Sequence, residues 1–137
     1  MVLACLLAVL ATDDTIVLNN GIVMPKLAFA ANIWAPATCA SATHAALEKG
    51  FRFVWSSALV GPQCQAAQAT AMRNWTGPLF VSGTVDTQAC NGQEDCYAQT
   101  KKGAEEQFSL LGATGLDMLM LDYPSGSGCD GIRGQWL

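Results

Sequence analysis

The chain has 137 residues, 51% of them hydrophobic and 13% charged, with a net charge of -4 and a pI near 4.6. That is enough for one small domain with a core, but well short of the roughly 25% charge of ordinary soluble domains. Two readings fit: a small Ala- and Gly-rich domain, or a surface covered by partners. The acidic balance argues against nucleic acid, which needs a basic face, and the Lys and Arg residues are too scattered for a polybasic membrane patch.

Met1 to Ala11 is an unbroken apolar run. It is too short to span a bilayer as a helix, which takes about 20 residues, and no basic residue precedes it as in a signal sequence. Residues 1–14 are therefore expected to be an apolar amino-terminal arm, ahead of a domain at 15–137. The arm reads as the tail of a targeting sequence, a segment docked on a neighbour, or a buried edge. Two β runs, Thr15 to Leu18 and Ile22 to Pro25, flank Asn19-Asn20-Gly21 and predict a hairpin. Lys26 to Ile33 reads as a strand buried on both faces. Thr38 or Ser41 can cap a helix that runs to about Lys49, where Gly50 stops it. Phe51 to Trp55 is the next strand. Pro62 opens a helix through Arg73, and Thr76-Gly77-Pro78 ends it before the strand Leu79 to Ser82. A third helix is expected from Cys96 to Leu111, with Tyr97, Ala104, Phe108 and Leu111 on one side. After the stop at Gly112 to Gly115 come the strand Leu116 to Leu121, a flexible loop at Ser125 to Gly128, and a last helix from Asp130 to Trp136. Such alternation predicts an α/β fold, with four parallel strands near 26–32, 51–55, 79–83 and 116–121 and three helices outside a curved sheet.

Four passages resemble the aldo-keto reductases. Leu18-Asn19-Asn20-Gly21-Ile22-Val23-Met24-Pro25 is similar to that family's opening hairpin, which caps the bottom of its barrel. Ala28-Phe29-Ala30-Ala31-Asn32-Ile33-Trp34 stands where the family has a Gly-rich strand end. Gly50-Phe51-Arg52 followed by Gly61 follows its second strand, and Leu116-Asp117-Met118-Leu119-Met120-Leu121-Asp122-Tyr123-Pro124 its fourth. The resemblance covers roughly Val17 to Trp136. It implies half of a TIM-type (β/α)₈ barrel preceded by a β-hairpin, since a whole barrel takes around 250 residues. It also implies that the family's chemistry is replaced. The catalytic Asp position holds Trp55, the proton-donating Tyr position Val60, the Lys position Thr84 and the His position Asp122. Val60 has no proton to give, and Thr84 cannot tune a pKa. The family binds the phosphates of its nicotinamide cofactor on the last two strands, which nothing in this sequence matches. The expectation is a pseudoenzyme with no cofactor and no NADPH binding.

The lone His44 reads as a helix-face residue rather than a ligand. Cys39, Cys64, Cys90, Cys96 and Cys129 each follow a predicted strand or start a helix, placing them on the carboxyl-end face of an α/β barrel. Cys90 and Cys96 close a small polar loop that a disulfide could staple. Disulfides, free buried thiols and zinc all remain open, although the usual CxxC zinc spacing is missing. Disulfides would imply an oxidising compartment, with the thylakoid lumen of a plastid or a secretory or extracellular space as the best settings. Two functions follow. The first is a structural subunit that stabilises or bridges a larger complex at the edge of a membrane, a photosystem being one example. The second is a small-molecule binder or divergent oxidoreductase using the cysteine-rich face, with Asp86 and Asp122 as its polar groups.

Overall fold

The computed structural model describes residues 14–112 and 116–137. The apolar arm, apart from Asp14, therefore lies outside the described residues.

Strand β1 (Thr15–Val17) pairs antiparallel with β2 (Val23–Pro25). The Asn-Asn-Gly turn joins them with Gly21 at φ 83°, a conformation that L side chains rarely adopt. The Leu18 N–H donates to the Ile22 carbonyl at 2.8 Å, and Asn20 Oδ1 accepts from the Ile22 N–H at 3.1 Å. Four parallel strands follow: β3 (Phe29–Ala30), β4 (Phe53–Ser56), β5 (Phe80–Asp86) and β6 (Met118–Tyr123). They lie side by side in chain order. Helices α1 (Pro36–Glu48), α2 (Pro62–Arg73) and α3 (Gly92–Leu111) connect them, and α4 (Gly128–Gln135) follows β6. This is half of a (β/α)₈ barrel with a hairpin before it.

Alternation along the strands sorts their side chains. Val54 of β4 and Val81 of β5 point to the helices and join Leu47, Ala69, Met72 and Leu111 in the aliphatic core. Beneath α2 and α3 the same side turns polar. Ser56 Oγ donates to Gln68 Oε1 at 2.9 Å, and Gln65 Nε2 donates to the Ser56 carbonyl at 3.1 Å and to Gln107 Oε1 at 2.8 Å. At the other end of β4, the Arg52 guanidinium donates to the Leu47 carbonyl at 2.8 Å, closing the end of α1, and lies 4.6 Å from the Trp75 ring centroid.

The structure corrects several details. Helix α1 begins at Pro36 with Ala35 as its cap, ahead of Thr38 and Ser41; the fixed φ of proline suits the first helical position, and Ser41 Oγ donates instead to the Thr38 carbonyl at 3.2 Å. Strand β3 is two residues long rather than seven. Helix α3 starts at Gly92, four residues before Cys96, because the Asp95 carboxylate accepts from the Asn91 N–H at 2.7 Å and secures the first turn. That hydrogen bond, aided by one from Gln99, holds the Asp95 carboxyl below its ordinary value. The buried stripe of α3 is Cys96, Gln107 and Leu111, whereas Tyr97 and Phe108 are exposed. Leu111 is buried as expected, while Cys96 and Gln107 take the buried places one residue before Tyr97 and Phe108. Finally, Ser125 to Gly128 is not a loose loop: Ser125 is buried and bonded on both sides.

Candidate site at the carboxyl ends of the strands

Strand alternation puts Phe53, Trp55 and Ser57 in line on the concave face, beside Phe80, Ser82 and Thr84 of β5 and Met118, Met120 and Asp122 of β6. The upper end of this face is polar. Thr84 Oγ1 donates to Asp122 Oδ2 at 2.5 Å, and Ser57 Oγ donates to the same oxygen at 2.9 Å. Thr84 Oγ1 in turn accepts from the Ala58 N–H at 2.8 Å, and Ser57 Oγ from the Leu59 N–H at 3.1 Å. Ser57 is thus the cap of a single 3₁₀ turn, Ala58–Val60. One carboxylate oxygen joins the ends of three strands.

Below the clamp the face is apolar. Met24, Phe53, Trp55, Ser82, Met118 and Met120 line a shallow cavity of about 240 Å³. The Phe53 and Phe80 rings meet edge to face at 4.8 Å. Two polar atoms here are buried with no hydrogen-bond partner, Trp55 Nε1 and Ser82 Oγ.

Of the four positions singled out by sequence, Thr84 and Asp122 are hydrogen-bonded to each other. Trp55 lies one layer beneath them in the apolar wall, and Val60 is half-buried on the 3₁₀ turn, outside the hydrogen-bonded set. Ser57 was not singled out; the signal for it is its place two residues after Trp55, at the end of the same face. His44 lies on the exposed side of α1, with Nε2 3.3 Å from Glu48 Oε1.

Among the described residues the cysteines form two bridges, Cys39–Cys64 and Cys90–Cys96. The first ties α1 to α2; the second closes the turn that opens α3. Cys129 is an exposed free thiol on α4. Among the described residues no group of three or more His, Cys, Asp or Glu side chains could hold a metal ion. No described helix is long and apolar enough to cross a membrane.

No family model matches this sequence, and no curated protein matches it either. Solved structures do. The chain superposes on an aldo/keto reductase from Brucella melitensis with a TM-score of 0.69 at 20% identity, covering 82% of this chain and 42% of that one. The fold is that of half an aldo-keto reductase barrel. An aldo-keto reductase from a Medee basin deep-sea metagenome library gives a TM-score of 0.70 at 19% identity, covering 87% and 43% of the two chains. The aldose reductase from Schistosoma japonicum gives 0.60 at 19%, covering 81% and 36%. The chain therefore spans about two fifths of the length of these aldo-keto reductases.

Chemically, the polar end of the half-barrel is a clamp. Asp122 is an acceptor already engaged by two hydroxyls, and neither hydroxyl is acidic enough to protonate a carbonyl at neutral pH. The hydrogen-bonded set contains no lysine, histidine or tyrosine.

Proposed function

We propose that this protein is a non-catalytic accessory subunit built on a degenerate aldo-keto-reductase-type half-barrel. The observation that carries this reading is the clamp of Ser57, Thr84 and Asp122: Thr84 and Asp122, at the positions where the resemblance expects Lys and His, are bonded to each other, while the proton-donor position holds Val60. The solved neighbours are enzymes, so the reading rests on the replaced side chains and not on the fold. Carbonyl reduction needs a general acid, which contributes about 10²–10⁴-fold in rate, and a hydride that only a cofactor supplies.

The concave face supports the role of a partner subunit. Trp55, Met118 and Met120 stay half-buried around the shallow cavity, and Ile16, Val17, Val23 and Leu27 of the hairpin region are exposed. A protein surface laid against these groups would remove apolar area from water, worth about 25 cal/mol per Å². The two disulfides favour an oxidising setting for the complex, in a lumenal or extracellular space.

The test is a titration of the purified protein, or of its complex, with NADPH, read by tryptophan fluorescence and by turnover of a simple aldehyde. No saturable binding and no turnover above the protein-free rate are expected, and Trp55→Asp with Val60→Tyr should not create any. Saturable binding with turnover would sink the reading. A native mass measurement addresses the partner: the chain should be recovered with other subunits rather than as a lone monomer.

A further inference from the structure

The Cys90–Cys96 bridge lies beneath a lid. Both cysteines are at most 2% exposed. The cover is Ser125 to Gln135, the segment that follows β6 and folds into α4. Ser125 Oγ sits 3.4 Å from Cys90 Sγ and 3.3 Å from Cys96 Sγ, and donates to the Cys90 carbonyl at 3.2 Å. Ser127 Oγ accepts from the Gly92 N–H at 3.0 Å, and the Gly126 N–H donates to the Gln88 carbonyl at 3.1 Å. From the far end of the lid, Gln135 Nε2 donates to Thr87 Oγ1 at 2.7 Å, while its Oε1 accepts from the Ser125 N–H at 2.9 Å. Every one of these contacts joins the lid to itself or to residues 87–96, the turn that the disulfide closes.

Glycines allow the close fit. A Cβ on Gly134 would overlap the Gln93 carbonyl and come within 3.0 Å of Cys96 Cβ, and one on Gly131 would overlap the hydroxyls of Ser125 and Ser127. There is no slack between α4 and the bridge.

We propose that the Cys90–Cys96 disulfide and the Ser125–Gln135 lid form a redox latch, in which the bridge holds the lid's docking surface in shape and the lid shields the bridge from reductants. Thiol–disulfide exchange needs a thiolate to reach one sulfur in line with the bond, so reduction follows lid opening. The reductant is a dithiol. Its first thiolate attacks one sulfur and forms a mixed disulfide, and the other sulfur leaves as a thiolate and takes up a proton. The second thiol of the reductant then displaces the remaining cysteine sulfur, which is also protonated. The reductant ends as a disulfide and Cys90 and Cys96 as two thiols. The freed turn regains conformational entropy, and two separate thiols need room that Ser125 and Gly134 occupy. By linkage, whatever factor the bridge contributes to lid closure, the lid returns to bridge stability. Only Pro124 separates the lid from Tyr123, whose carbonyl accepts from Gln135 Nε2 at 3.3 Å, so opening would uncover the carboxyl end of β6. This inference stands independently of the non-catalytic reading.

Two measurements on the full-length chain test it. In the first, amide hydrogen exchange of Cys90→Ala with Cys96→Ala is compared with the oxidised protein. Exchange across 125–135 should rise about tenfold or more, as expected for local opening, while 36–56 stays unchanged. An unchanged lid, or an equal rise in all elements, overturns the latch. In the second, Gly134→Ala is introduced with both bridges intact, and reduction by dithiothreitol is followed by thiol trapping and peptide mass. Cys90–Cys96 should reduce at least about fivefold faster, in line with access control of exchange, and Cys39–Cys64 at its former rate. Equal acceleration of both bridges, or none, counts against it.

Discussion

On the helix side of the sheet, Val54 and Val81 pack into an aliphatic cluster under the helices, and the buried glutamines beside them bond to Ser56 and to one another, with Gln68 Nε2 left unpartnered. On the concave side of the same strands, Trp55, Met118 and Met120 border an open cavity, and two polar atoms lack partners. One backbone thus carries a face covered by helices and a face left half-open. The helix side explains why the chain holds its shape; the concave side is where another surface would add most.

Truncation should separate the two faces most sharply. Leu47→Ala, in the aliphatic cluster, is expected to cost about 3–5 kcal/mol through lost burial and a cavity. Met120→Ala on the concave face should cost under about 1 kcal/mol, since that side chain is only part-covered. Urea unfolding of both variants would decide it, and equal losses would erase the contrast. Next in size, opening the Cys39–Cys64 bridge with paired Ser substitutions should cost about 3.5 kcal/mol for its 25-residue separation. The paired Ala substitutions at Cys90 and Cys96, separated by 6, should cost about 2 kcal/mol on the same scale. Differential scanning calorimetry would rank them.

Gln65→Ala should cost about 2–3 kcal/mol, because it strands the Ser56 carbonyl and the Gln107 amide in a dry layer. Its measure is again the denaturant midpoint; a neutral result would mean that water replaces the side chain. The smallest effect concerns pH. The Asp95 carboxyl titrates below its ordinary 3.8 in the folded chain, so what it contributes is complete above that value and fades as pH falls through the lower folded value. Amide protection in the first turn of α3, measured against the intrinsic exchange rate at each pH, should therefore fall on acidification below about pH 4. In Asp95→Asn that step should be missing.

The order of strands and helices was legible because hydrophobic runs alternate with Gly stops at Gly50 and Gly112 and with the Pro start at Pro62. The hairpin was legible from Asn19-Asn20-Gly21 alone, since little else permits that turn. The polar layer was not. Gln65, Gln68 and Gln107 carry no hydrophobic signal that would mark them as interior, yet all three are buried where α2 and α3 pack on the sheet. The partner of Cys39 was equally hidden, because 25 residues and a strand separate it from Cys64 and their approach depends on how α1 and α2 lie together. At the carboxyl ends, Thr84 and Asp122 were found by resemblance, whereas Ser57 comes into view only once the alternation of β4 is fixed.

Strand order in the sheet matches chain order from β3 to β6, and this bears on how the molecule is made. Synthesis proceeds at about 5–20 residues per second, and early units fold first. Each strand emerging from the ribosome finds its neighbour already outside, and no pairing waits for a distant segment. The sheet can grow by one βα unit at a time. Nascent chains arrested at rising lengths should gain protease resistance in steps, one at the release of each unit.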